Sequence, residues 1–187
     1  MAASGFSTKI IFDGAKVPVA QQAISVSIGH FATSRFGWTL TAGAIVHGQI
    51  EGRAIDGGGS LGGTISWLWV REQPRRPFVA LTGSLSTGLT RGTADDGSAR
   101  WWSANDLRGG AMLGKTLGTR WVPYATARVF GGPVFWRRGG ERVYGGDHYH
   151  FSVGAGLTVR LPGQLDLSIE AMPLGEQSAA VGVTAHR

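Results

Sequence analysis

The chain reads as all-β, an antiparallel up-and-down barrel of about ten strands, with eight as the smaller option. Three observations predict this. The dominant hydrophobic period is two rather than 3.6. Glycine is abundant, 31 of 187 residues, without the every-third spacing of collagen. The segments between alternating stretches differ in kind: "TSRFG", "EQPRRP", "LGTR" and "LPGQ" are short, whereas "GRAIDGGGS", "RGTADDGSARWW" and "WRRGGERVYGGDH" read as longer polar loops. A single domain over residues 1–187 is expected from the length.

The elements follow in order. Phe6 to Asp13 is a weak first strand. Ile24, Val26 and Ile28 oppose Ser25 and Ser27. Trp38, Leu40, Ala42, Ala44 and Val46 oppose Thr39, Thr41, Gly43 and His47. Ile65, Trp67 and Trp69 oppose Thr64 and Ser66; Leu81, Leu85 and Leu89 oppose Thr82, Ser84, Ser86 and Thr90. Leu107, Ala111 and Leu113 oppose Asp106, Arg108 and Gly110; Ala125, Ala127 and Val129 oppose Tyr124, Thr126 and Arg128. The stretch from Asp147 to Gly163 forms one strand with Phe151, Val153, Ala155, Leu157 and Val159 on one face. Leu165, Leu167, Ile169 and Ala171 oppose Asp166, Ser168 and Glu170; Val181, Val183 and Ala185 close the chain. Hairpin arithmetic pairs Arg160 with Gln164 around Leu161-Pro162-Gly163, and Thr116 with Arg120 around Gly118. Ile45 and Leu68 fall on the polar face, His30 falls on the apolar one, and Pro123 and Pro133 share one strand.

Composition decides which face is inside. Charged residues make up only 16 %, so the Ser/Thr/Gly face would be a poor coat in water. It suits a crowded lumen, and the Leu/Val/Ile/Ala/Trp face suits lipid. A transmembrane barrel follows, with strands of about 9–11 residues sufficient to cross a bilayer at a tilt. No apolar run reaches the length of a membrane helix, and the start lacks a secretory signal pattern, so an exported, processed form is expected. Cysteine is absent, which excludes a disulfide framework and thiolate chemistry. Aromatic residues fall in two groups: Trp38, Trp67, Trp69 and Trp121 near the short turns, and Phe135, Trp136, Tyr144, Tyr149 and Trp101-Trp102 near the long loops. Two such belts match two membrane interfaces.

On alternation, loop asymmetry and belts, the chain resembles the small bacterial outer-membrane β-barrel proteins of the OmpA, OmpX and OmpW kind. That resemblance implies an outer-membrane location. The ending Thr184-Ala185-His186-Arg187 departs from the aromatic last residue frequent in such barrels.

With the polar face inward, the lumen holds a charge network of Asp106, Arg108, Arg128, Arg160, Asp166 and Glu170, with His150 and His47 as further members. Lone charges there would be costly, so pairing is expected. The network reads first as a plug and second as the lining of a narrow passive channel. His150-Phe151-Ser152 resembles the His-x-Ser of outer-membrane lipid A deacylases, which implies His150 as base, Ser152 as nucleophile and Glu170 as orienting acid. Val153 departs from that family's Asn, and parity puts the pair on the lumen side rather than toward lipid. No metal set is complete and no cofactor is expected; a phosphate loop lacks its Lys-Ser/Thr. The net charge is +6, yet the arginines form no tract with interleaved aromatics, which disfavours nucleic acid. The partners expected are the lipid bilayer and, through Arg137, Arg138 and Arg142, lipopolysaccharide phosphates. The reading is an outer-membrane barrel with a polar lumen, structural or a narrow channel. A lipid hydrolase and a soluble ligand-binding barrel are the alternatives.

Overall fold

The alternating stretches fold as antiparallel strands of one closed sheet. The computed structural model describes residues 1–12, 14–50, 52–93, 99–138 and 141–186. Their strands are β1 (Ala2–Phe12), β2 (Ala15–Phe31), β3 (Phe36–Ile50), β4 (Arg53–Val70), β5 (Phe78–Thr93), β6 (Ala99–Gly114), β7 (Trp121–Gly131), β8 (Val134–Arg138), β9 (Glu141–Asp147), β10 (Phe151–Leu161), β11 (Leu165–Gly175) and β12 (Gln177–Ala185).

The ring has two strand counts. Near the turns that join β2–β3, β4–β5, β6–β7 and β10–β11, ten strands close it: β1 to β7, then β10, β11 and β12, which pairs back to β1. β12 stops at Gln177, opposite Ser7; β1 continues and pairs with β9 from Ile10 to Phe12. On the other side β6 pairs with β7 only from Leu107 onward, and its earlier residues Trp102–Ala104 pair with β8. The β8–β9 hairpin therefore replaces four strands by two, and the far end is an eight-stranded ring of β1 to β6, β8 and β9.

The polarity of the wall reverses between the two parts. On β2 the odd residues point inward throughout: Val17 and Val19 are buried, while even-numbered Ile24, Val26 and Ile28 are exposed outside. The near part thus has an apolar exterior, continued by Leu40, Leu61, Ile65, Leu85, Leu107, Val129, Ile169 and Val181. The far part has an apolar interior. Ile10, Phe12, Val17, Val19, Trp102, Val134 and Trp136 pack there as one buried cluster, with Phe12 and Trp136 rings 5.4 Å apart. We call this part the cap.

Several sequence expectations are corrected. "GRAIDGGGS" and most of "WRRGGERVYGGDH" are not loops; they contribute to β4 and to the paired strands β8 and β9, while Gly139 and Gly140 lie outside the described residues. The strand expected from Asp147 to Gly163 begins only at Phe151; residues 148–150 link β9 to β10. Both hairpins start one residue late. Arg160 pairs with Asp166 and Leu117 with Trp121, because the Pro162-Gly163-Gln164 loop takes positive φ at Gly163 and Gln164, and Gly118 opens the other loop. Moving both partners by one preserves every face. Pro133 lies between β7 and β8, not in a strand; Pro123 stays in β7.

Candidate functional site: a bridged lumen beneath the cap

The inward face of β10 is small because neighbouring side chains lie across it. Gly156 pairs with Tyr124 of β7 on one side and Glu170 of β11 on the other. A Cβ at Gly156 would overlap the Tyr124 ring, and one at Gly154 would collide with the β11 backbone at Ala171. Over this glycine floor the Tyr124 hydroxyl donates to Glu170 Oε2 at 3.3 Å, and Arg128 Nη2 bonds Glu170 Oε1 at 2.6 Å. The bridge crosses β10 and ties β7 to β11 inside the wall.

A second cluster sits where ten strands become eight. Arg108 of β6 bonds Asp106 on its own strand and reaches Glu176 Oε1 at 2.9 Å, with its guanidinium 4.6 Å above the Phe130 ring. Glu176 occupies the one-residue turn between β11 and β12, and its side chain is only 5 % exposed. Asp106 Oδ1 is buried without a hydrogen-bond partner. Asp147 at the end of β9 faces this group. Burial, then the Asp106 and Glu176 carboxylates, push its pKa up to about 6, against the opposing pull of Arg108 and His150. Three carboxylates thus share one arginine and a histidine at the base of the cap.

The other expected network members lie apart. Asp166 pairs with His186 Nε2 at 2.9 Å near the turn end, and Arg160 is exposed at the same rim. His47 points outward. Val46 is an extra residue opposite the β2 stretch Gln22–Ala23, and this bulge reverses parity from His47 onward. Beyond the lumen, Glu72 in the β4–β5 turn accepts the Thr116 hydroxyl and backbone N–H at 2.7 and 2.8 Å; these bonds hold its carboxyl below the ordinary range.

The His150, Ser152 and Glu170 set is not assembled. His150 is exposed in the β9–β10 link, with Nδ1 3.3 Å from the Phe130 carbonyl, and Glu170 is engaged by Arg128 and Tyr124. Ser152 is buried in the wall. Of the expected aromatic belts, Trp38, Trp67, Trp69 and Trp121 are exposed at the turn end. Trp136 corrects the expectation for the other end: it points inward and is 8 % exposed, because β8 lines the cap core. Trp102 is likewise internal, whereas Trp101 points out. Phe135 faces outward edge-to-face with Tyr144, and the Tyr149 ring lies tilted against His148 in the link. The side chains of Arg137, Arg138 and Arg142 lie outside the described residues. Sequence reasoning missed Glu176, since a turn residue carries no parity signal. It missed Tyr124 as a bridge member, although Gly154 and Gly156 on one face marked the space it fills. Among the described residues no cluster of three or more acidic, His or Cys side chains is placed to hold a metal ion.

No protein-family model matches the chain, and no curated protein does. Among solved structures it is similar to the crystal structure of the beta domain of the Bordetella autotransporter BrkA, at 16 % identity and a TM-score of 0.39, with 96 % of each chain covered. At that level the likeness adds nothing to the chain's own strand pairing.

Proposed function

We propose that the protein is a membrane-spanning β-barrel of the bacterial outer-membrane type whose role is structural, its lumen closed at one end by the cap. The observation that carries this is the reversal of polarity within single strands. On β2, Ile24, Val26 and Ile28 face out below, and Val17 and Val19 face in above. An exterior of Leu, Ile and Val is stable against lipid and unfavourable in water, while a buried core with Lys9 and Lys16 outside is the arrangement water requires. The short strands β7, β10, β11 and β12 have 11, 11, 11 and 9 residues, the length of one bilayer crossing. β2 has 17 and β4 has 18, enough to rise above the surface. Closure rests on two obstacles in series: the Arg128–Glu170–Tyr124 bridge in the lumen and the Trp102–Trp136–Phe12 core in the cap.

The test combines two measurements. Heat-modifiable mobility after refolding in detergent is the expected sign of a membrane barrel; folding to the same state without detergent would refute it. In planar bilayers the intact chain should give no steady conductance. Discrete channels at neutral pH would overturn closure and favour the passive-channel reading.

A further inference from the structure

The outer wall is concave where ten strands become eight. A groove of about 650 Å³ crosses β11, β12, β1, β2 and β3 at this step, within the size range of small-ligand sites. Its exposed lining belongs to the outer face, since the inward Gln21, Gly48 and Met172 that alternate with it are buried. The lower part is small and apolar, with Gly5, Ala171 and Ala179, and merges with the lipid-facing band. The upper part is neutral and hydrogen-bonding. Gln22 pairs laterally with His47, and Ser7 with Gln177. The bulge at Val46 is what turns His47 out to this wall.

Cations stand above it. Lys9 follows Ser7 on the same face of β1, two residues or about 7 Å further up. Lys16 lies beside it on β2, opposite Ile11, and both lysines are exposed. Partial desolvation and the charges of Lys16 and Lys9 hold the His148 imidazole below its usual pKa, and the His148 backbone N–H donates to the Lys9 carbonyl at 2.9 Å. From bottom to top the wall therefore offers an apolar trough, a row of amides, hydroxyl and imidazole, and a pair of ammonium groups.

We propose that this groove binds the phosphorylated sugar headgroup of an anionic glycolipid in the leaflet around the cap. An acyl chain lies over Gly5, Ala171 and Ala179, sugar hydroxyls bond the Gln22, His47 and Gln177 side chains, and phosphate meets Lys9 and Lys16. The order of chemistries along the wall matches that of such a lipid from tail to phosphate. Neutral hydrogen-bonding groups in the middle distinguish a sugar-bearing lipid from a simple phospholipid. The proposal rests on the membrane reading above.

The test uses the full chain refolded into nanodiscs containing phosphatidylcholine with diphosphoryl lipid A or with phosphatidylglycerol, and measures retained lipid by native mass spectrometry. Lipid A should be retained preferentially over both phospholipids. Lys9→Gln with Lys16→Gln should weaken retention about 10- to 30-fold, as expected for two basic groups at an anionic surface. Gly5→Leu should fill the groove and abolish preference, since a Cβ there meets only ordinary contacts at 3.7 and 3.9 Å. Heat-modifiable mobility is measured on each variant to establish folding. An inserted chain that shows no preference for lipid A, or equal retention of phosphatidylglycerol, overturns the proposal and leaves the membrane reading standing. So does retention unchanged in folded variants. A chain that folds without detergent overturns both.

Discussion

The cap and the lower band share strands β1 to β6, yet they are opposite in construction. On β1 and β2 the cap buries Ile10, Phe12, Val17 and Val19 and exposes Lys9 and Lys16; a few residues on, β2 exposes Ile24, Val26 and Ile28 and turns Ser25 and Ser27 inward. On β2 the backbone alternates without interruption across the change, so on this strand the difference lies in what surrounds each part. Apolar side chains go to whichever side lacks water. The cap holds itself together as a small soluble barrel does, through a packed core. The lower band turns its apolar side chains outward, where the proposed membrane reading sets lipid, and holds hydrogen-bonded charge over a glycine floor inside.

The comparison is broken most severely by removing one part's own support. Trp102→Ala empties the centre of the cap and should cost about 3–5 kcal/mol there. Limited proteolysis should cut the β8–β9 region while the lower strands stay protected by the bilayer. The counterpart below is Arg128→Met, which leaves the part-buried Glu170 with Tyr124 alone and should cost about 2–4 kcal/mol, with the loss read as a lower thermal midpoint in detergent. Adding Glu170→Leu should recover most of that loss, because the stranded charge is gone.

Val26→Arg places a charge on the outer wall of the lower band and should cost about 2–4 kcal/mol if the site is near the bilayer midplane, read as a reduced yield of heat-modifiable barrel in vesicles. Gly156→Ala is a smaller change. The methyl group displaces the Tyr124 ring and presses on the Ile169 carbonyl of β11, and should cost about 1–3 kcal/mol as an overpacked contact, measured by denaturant titration. The smallest effect is electrostatic. Burial, then the Asp106 and Glu176 carboxylates, push the Asp147 pKa up to about 6, above the ordinary carboxylate range, so between that range and pH 6 the folded state holds an extra proton. Stability of the cap should therefore rise as pH falls from 7 toward 5, and Asp147→Asn should flatten that slope in a proteolysis series.

Much of this was legible in the sequence. Alternation fixes faces, and faces survived even where both hairpins were placed one residue early, because Arg160 opposite Asp166 preserves the same parity as Arg160 opposite Gln164. Arg128 and Glu170, both expected in the paired lumen network, meet across Gly156. The bulge at Val46 left no mark that separates it from regular alternation, so His47 appeared on the wrong face. The cap was hidden for a related reason. Apolar residues alternate just as regularly in Val17 and Val19 as in Ile24 and Val26, and only the shift from odd to even between them records the change of surroundings. The alternation of Ile24, Val26 and Ile28 lies wholly beyond that shift, and the Gly-rich stretches that contribute to the rest of the cap resemble loops in composition. Glu176 could be found only from the fold, since its partner Arg108 is 68 positions away in the chain.

The most direct test is an accessibility scan along β2. The chain has no cysteine, so single substitutions give clean sites for spin labels. In vesicles, labels at Ile24, Val26 and Ile28 should be relaxed by dissolved oxygen and shielded from a water-soluble nickel chelate. Labels at Lys16 and Ala20 should show the reverse, and those at Val17 and Val19 should be shielded from both. Nickel access to every even-numbered position from Lys16 to Ile28 would contradict the division of one strand between water and lipid.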